Sequence, residues 1–135
     1  MITACLLHDT GHLLNNDARQ AIRNGEDTEH EHIAVDYLRS WFSPAITSPI
    51  RWYVDATRYL CATDKTYFAK LSKGSVRRLE VQGGPFDRQE VASFECQPYY
   101  KEAVQLRRWD ETFKSTLTTT PSIDHFLNFA SQARI

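Results

Sequence analysis

An all-α fold of one domain is what this sequence predicts, and three observations carry that reading. Apolar residues recur at three- and four-residue spacing through much of the chain, the period of a helix with one buried face. Five glycines and five prolines in 135 residues are too few for a turn-rich β design. The length suits a single domain, here residues 1–135, with room for a real hydrophobic core.

The elements follow in order. Ile2 to Leu14 reads as one helix, stopped by the turn formers Asn15, Asn16 and Asp17. No N-capping residue precedes it. Ala18 to Glu29 is charged and weakly periodic, the pattern of a surface loop. From His30 to Trp41, the residues His30, Ile33, Ala34, Tyr37 and Trp41 recur at helical spacing. Ser43-Pro44 opens a further helix with proline in its first turn, running to Cys61 and kinked or delayed by Pro49. Asp64 to Leu71 and Ser75 to Gln82 read as shorter helices, the second ended by Gly83-Gly84-Pro85. Asp87 to Phe94 and Tyr99 to Phe113 come next. Ser115 to Pro121 is an irregular connector, and Ile123 to Ala133 forms the last helix.

Charge and composition exclude several functions. A net charge of −1 gives no electrostatic case for nucleic acid or an anionic membrane. No apolar run approaches the roughly 18 residues that span a bilayer. The stretch from Met1 to Leu14 lacks the basic start of a signal peptide, and His8 and Asp9 interrupt it. Cys5, Cys61 and Cys96 are odd in number and widely spaced, which fits free thiols in a reducing compartment, the cytoplasm.

Polar residues on apolar faces mark the candidate chemistry. On the first helix, Asp9 lies within about 60° of Ile2, Leu6 and Leu13. A carboxylate in that stripe is expected to be desolvated, which is unfavourable unless it is paired or bound to a metal. His8 adjoins it, and His12 lies one turn beyond His8. His30 occupies the centre of its own apolar stripe, whereas His32 points toward Asp36 and Arg39 on the wet side. Asp110 shares a face with Tyr99, Ala103, Leu106 and Phe113, with Arg107 at the edge. His8, Asp9, His30 and Asp110 then form a nitrogen and oxygen ligand set that suits iron, manganese or a similar divalent ion.

At this point the order of motifs resembles a known family. Leu6-Leu7-His8-Asp9-Thr10-Gly11-His12 is similar to the central motif of HD-domain metalloproteins. Asp55-Ala56-Thr57-Arg58-Tyr59-Leu60, Leu79-Glu80-Val81-Gln82-Gly83-Gly84-Pro85 and Leu106-Arg107-Arg108-Trp109-Asp110 follow in sequence. Together they resemble the predicted HD phosphohydrolases related to the PhnZ-type di-iron phosphonate oxygenases, from about residue 2 to about residue 130. The resemblance implies an HD-domain helical bundle that holds two iron ions. Asp9 would bridge them, His8 and Asp110 would bind one, and His30 the other. His12, Ser75 and Arg107 would surround a small phosphonate or phosphorylated substrate, with Asp9 and His12 as the catalytic residues. A planar guanidinium suits phosphonate oxygens.

The sequence also departs from that pattern. The family has a helix before the HD motif that supplies one metal-binding histidine, and this chain is expected to lack it. A second family histidine is replaced by Tyr53, and the lysine that would meet the phosphonate is Thr57. Three readings stay open: an oxygenase that cleaves organophosphonates, a metal-dependent phosphohydrolase using metal-bound water, and a catalytically impaired HD-like domain.

Overall fold

The computed structural model describes residues 1–15, 24–113 and 119–135. Parts of the expected 18–29 loop and 115–121 connector, together with Asn16 and Asp17, lie outside the described residues. Helix follows helix, and among the described residues the one extended pairing is an antiparallel bridge between Phe42 and Arg134. The molecule is an all-α bundle.

The expected first helix is two. Helix α1 spans Ile2–Leu7 and α2 spans Thr10–Leu14, with the chain turning at His8 and Asp9. Aspartate, threonine and glycine in succession are weak helix formers, and Asp9 leaves helical geometry at φ −90°, ψ 5°. The turn carries Asp9 out of the apolar stripe predicted for it, and its side chain is 63% exposed. Leu13, placed in the same stripe, is 85% exposed. What the turn achieves is close packing of α2 on the next helix. A Cβ on Gly11 would sit 1.8 Å from the His30 carbonyl oxygen, so only glycine fits there.

Helix α3, His30–Leu38, ends three residues before the expected Trp41. Its buried line is His30, Ala34 and Leu38, at four-residue spacing, while Tyr37 and Trp41 remain substantially exposed. The stretch read as one helix from Pro44 to Cys61 is again two, α4 at Pro44–Arg51 and α5 at Tyr53–Thr63. The break falls at Trp52, not at Pro49. Pro49 stays inside α4, fully buried, and the helix ends two residues later, at Arg51.

The shorter helices are held by side-chain caps. Asp64 accepts from the Tyr67 amide to open α6, Lys65–Ala69. Ser72 accepts from the Ser75 amide to open α7, Lys73–Val81. Asp87 and Glu90 form a reciprocal capping box on α8, Arg88–Glu95. Tyr99, expected to begin the next helix, instead takes a left-handed conformation (φ 64°), and α9 runs over Tyr100–Phe113. Helix α10 covers Ile123–Gln132.

Helix α4 lies at the centre, packed on α1, α3, α5 and α9, and α5 lies against α8 and α9. Ala4, Ala34, Leu38, Ile46, Ile50 and Ala130 form one apolar cluster. Ala56, Phe94 and Ala103 form another beneath Trp52, Tyr59 and Tyr100. The two glycines after α7 have a structural task. Gly83 and Gly84 both adopt positive φ, 107° and 74°, and turn their carbonyls toward Arg58 of α5. Arg58 donates to the Gly84 carbonyl at 2.8 Å, pairs with Glu90 at 3.1 Å and lies over the Phe86 ring. Two of the sequence motifs thus meet in a clasp that ties α7 to α5 and α8.

Candidate metal centre

The turn between α1 and α2, the start of α3 and the inner face of α9 converge on one cavity of about 530 Å³. Asp9, His12, His30, Ser75, Arg107 and Asp110 all contribute to its wall. Ser75 reaches the cavity from α7, as does Arg78, and Gln82 reaches it from just beyond the helix end. His8 lies behind Asp9, mostly buried, and His32 is outside the cluster on an exposed position.

Asp9, His12 and His30 each bring a ligand atom within 4.8 Å of the others. His8 is oriented from behind, with Nδ1 2.8 Å from the Cys5 carbonyl oxygen. Donation there leaves Nε2 as the acceptor nitrogen. That Nε2 is 3.4 Å from an Asp9 oxygen and 3.7 Å from an Asp110 oxygen. It is buried without a hydrogen-bond partner among the described residues, and so is His30 Nε2. Buried imidazole nitrogens without partners are costly. Two of them beside carboxylates, one with its other nitrogen held by a backbone carbonyl, match what a divalent ion requires of its histidines. The donor set therefore fits a metal. The His12 and His30 rings stack with centroids 4.0 Å apart.

The histidines differ electrically. His30 is pushed down to about 4 by burial, with the neighbouring His12 adding to the effect. Burial also works against protonation of His8, but Asp110, Asp9 and the Cys5 carbonyl outweigh it and hold its pKa above the ordinary value. Glu31, next to His30, is 4% exposed, and burial raises its carboxyl. Helical spacing does not foretell that burial, because Glu31 lies beside the apolar stripe and not within it.

Asp110 faces inward, as its helical position predicted, but it is shared. The Tyr53 hydroxyl donates to Asp110 Oδ2 at 2.6 Å, and Arg107 Nη1 donates to the same oxygen at 3.1 Å. Arg107 Nη1 also donates to the Tyr53 hydroxyl, Nε to the Tyr67 hydroxyl at 2.9 Å, and Nη2 to Glu111 at 2.7 Å. Arg107 was expected at the edge of its helix face; it is only 7% exposed, because this network surrounds its guanidinium. Burial raises the Tyr53 phenol strongly, so it serves as a proton donor to Asp110. Sequence reading missed Tyr67 and Gly11. A tyrosine forty residues from its arginine carries no local signal, whereas glycine one turn before a packed helix is a signal of close approach.

An HD motif at a helix-to-helix turn, in an all-α bundle, with histidines and carboxylates gathered around one cavity, is the arrangement that the resemblance to HD-domain metalloproteins implies. Comparison with known proteins makes this narrower. The chain is 40% identical over 126 residues to [1-hydroxy-2-(trimethylamino)ethyl]phosphonate dioxygenase (glycine-betaine-forming) of Leisingera caerulea. It is also 40% identical over 126 residues to hydroxymethylphosphonate dioxygenase of Gimesia maris. Each match covers 93% of this chain, and 64% and 63% of the respective relative, so the chain spans less than two thirds of their length. An uncharacterised protein of Acanthamoeba polyphaga mimivirus is 33% identical over 131 residues, 95% of this chain and 59% of that protein. No protein-family model matches the chain. Over most of its own length the chain is similar to two phosphonate dioxygenases.

Proposed function

We propose that this chain carries the catalytic core of an iron-dependent oxygenase acting on a small hydroxylated phosphonate in the reducing cytoplasm. The observation that carries this reading is the pair of buried, unpartnered nitrogens, His8 Nε2 and His30 Nε2, on either side of Asp9. Similarity to two phosphonate dioxygenases supports the substrate class. The three cysteines, all free thiols, support the compartment.

In this reading Asp9, His8, Asp110 and His30 would together hold two iron ions. Iron bound there would supply one-electron chemistry toward dioxygen and a Lewis acid for the substrate hydroxyl. The chain's own groups do the rest. Cys5 fixes the His8 ring through its carbonyl, so that Nε2 faces the carboxylates. His30 stays neutral well below pH 7 and remains available as a ligand. His12, half-exposed at the cavity wall beside His30, receives a proton from the substrate or orients its hydroxyl. Ser75 and Arg107 line the same cavity, Arg107 bracing Asp110.

One observation favours a second reading, a catalytically weakened HD-like domain. Tyr53 and Arg107 both hold Asp110 Oδ2, so one carboxylate oxygen of a ligand residue is already engaged. A single experiment separates the two. The purified chain is loaded anaerobically with iron(II), its iron content is measured, and hydroxymethylphosphonate and oxygen are supplied. The oxygenase reading expects bound iron, abolished by Asp9→Ala, and oxygen-dependent release of inorganic phosphate. Iron-free protein after loading overturns it. Bound iron with no phosphate release supports the weakened domain.

A further inference from the structure

The cavity has two walls of unlike chemistry, and the second bears on how a substrate anion is held. Asp9 and Asp110 stand on one side, so a doubly charged phosphonate entering the cavity meets two carboxylates. A cation has to balance it. Arg107 is poorly placed to do so, because its N–H groups are directed at Tyr67, Tyr53, Asp110 and Glu111 and it is almost fully buried. Thr57, also on the wall, brings no charge, and its hydroxyl donates to the Tyr53 carbonyl.

Helix α7 offers the alternative. Ser75, Arg78 and Gln82 stand at i, i+3 and i+7, within about 60° of one another around the helix, and all three line the cavity. Arg78 is exposed, and its guanidinium has no ion pair or hydrogen bond among the described residues. Arg77 also reaches the cavity but lies about 100° further round, away from Ser75. The clasp between Arg58 and the Gly83–Gly84 turn fixes the end of α7, and Leu79, 2% exposed, anchors its inner face. The arginine is therefore mounted on a braced helix while its charged end stays uncommitted.

We infer that Arg78, assisted by Ser75 and Gln82, binds the phosphonate group of the substrate, a role the resemblance would give to Arg107 and to the lysine replaced by Thr57. This rests on the oxygenase reading for the class of substrate. The planar fork of Arg78 meets two phosphonate oxygens, and the serine hydroxyl and glutamine amide donate to the remaining lone pairs. The carbon end of the substrate is then left pointing across the cavity toward Asp9, His12 and His30.

The test is titration calorimetry of methylphosphonate, which binds but lacks the hydroxyl to react, into iron(II)-loaded protein under anaerobic conditions. Loss of a charge-assisted, two-pronged contact in Arg78→Gln is expected to weaken binding about tenfold or more. Arg77→Gln, which removes the same charge from another face of the helix, should weaken it no more than about threefold. Iron content is measured alongside, and both variants should keep the wild-type value. Wild-type affinity in Arg78→Gln overturns the inference, as does equal weakening in the two variants or no binding by the wild type. If binding depends on Arg78 as expected and yet hydroxymethylphosphonate releases no phosphate, the anion site stands and the oxygenase reading falls.

Discussion

His8 and His30 occupy one small site and are driven in opposite directions. Burial lowers His30 to about 4, whereas the carboxylates around His8 hold it above its ordinary value. In metal-free protein at pH 6, His30 should be neutral and His8 protonated. Imidazole resonances followed by nitrogen-15 NMR check this, and a His30 midpoint at or above 6.5 would contradict it. The Tyr53 hydroxyl is the other decisive atom. Tyr53→Phe removes its hydrogen bond to a carboxylate that Arg107 still holds, which should cost about 1–2 kcal/mol in urea unfolding. Tyr53→His should instead raise iron uptake per chain in anaerobic loading, because imidazole needs no deprotonation at neutral pH to act as a ligand. Much of this was legible beforehand. Asp110 could be placed inward from helical spacing, since Ala103 and Leu106 of its stripe are buried; His30 is buried too, although of its expected stripe Ala34 turns inward while Tyr37 and Trp41 stay exposed. Asp9 could not be so placed, since its predicted burial assumed that α1 continued through it. The commitment of Arg107 was also hidden, because it depends on tyrosines 40 and 54 residues away.

At the scale of elements, the contact that sets the site is backbone against backbone, where α2 crosses α3 at Gly11. Adding a methyl group there would bring it to 1.8 Å from the His30 carbonyl, so Gly11→Ala has to push the two helices apart. A loss of roughly 3 kcal/mol or more follows from overpacking a contact that backbone cannot relieve. It should appear as a lower midpoint in thermal unfolding, together with reduced metal uptake, since His12 and His30 separate. The capping box on α8 is a milder case. Asp87→Ala should cost about 1 kcal/mol with metal content unchanged. Helix identities were readable from periodicity and caps, but the breaks were not. Pro49 was the obvious candidate to interrupt the long helix expected from Pro44 to Cys61, and yet the chain turns at Trp52, where α5 swings to pack on α9. Tertiary packing, absent from any local pattern, decided that position.

For the whole molecule, the buried histidine ties stability to acidity. His30 has a folded pKa of about 4 against 6.5 when exposed, so the unfolded chain takes up its proton first as pH falls. Its contribution is complete above pH 6.5 and is lost progressively toward pH 4, by up to roughly 3 kcal/mol at about 1.4 kcal/mol per unit. His8, shifted upward, acts in the other window: its contribution is complete below 6.5 and is lost as pH rises through its folded value. Glu31 and Asp55, raised by burial, oppose His30 on the acid side. Comparing the metal-free wild type with His30→Gln between pH 4 and 7 isolates the histidine, and the wild type should lose stability relative to the variant as pH falls. The clasp of Arg58 by the two glycines has its own consequence at this scale. It mounts α7 on α5 and α8, independently of the α2–α3 crossing that positions His12 and His30. Residues on the outer wall can therefore be exchanged without disturbing the inner one. A lineage built on this frame is free to trade one headgroup for another while the histidine and carboxylate cluster opposite stays as it was.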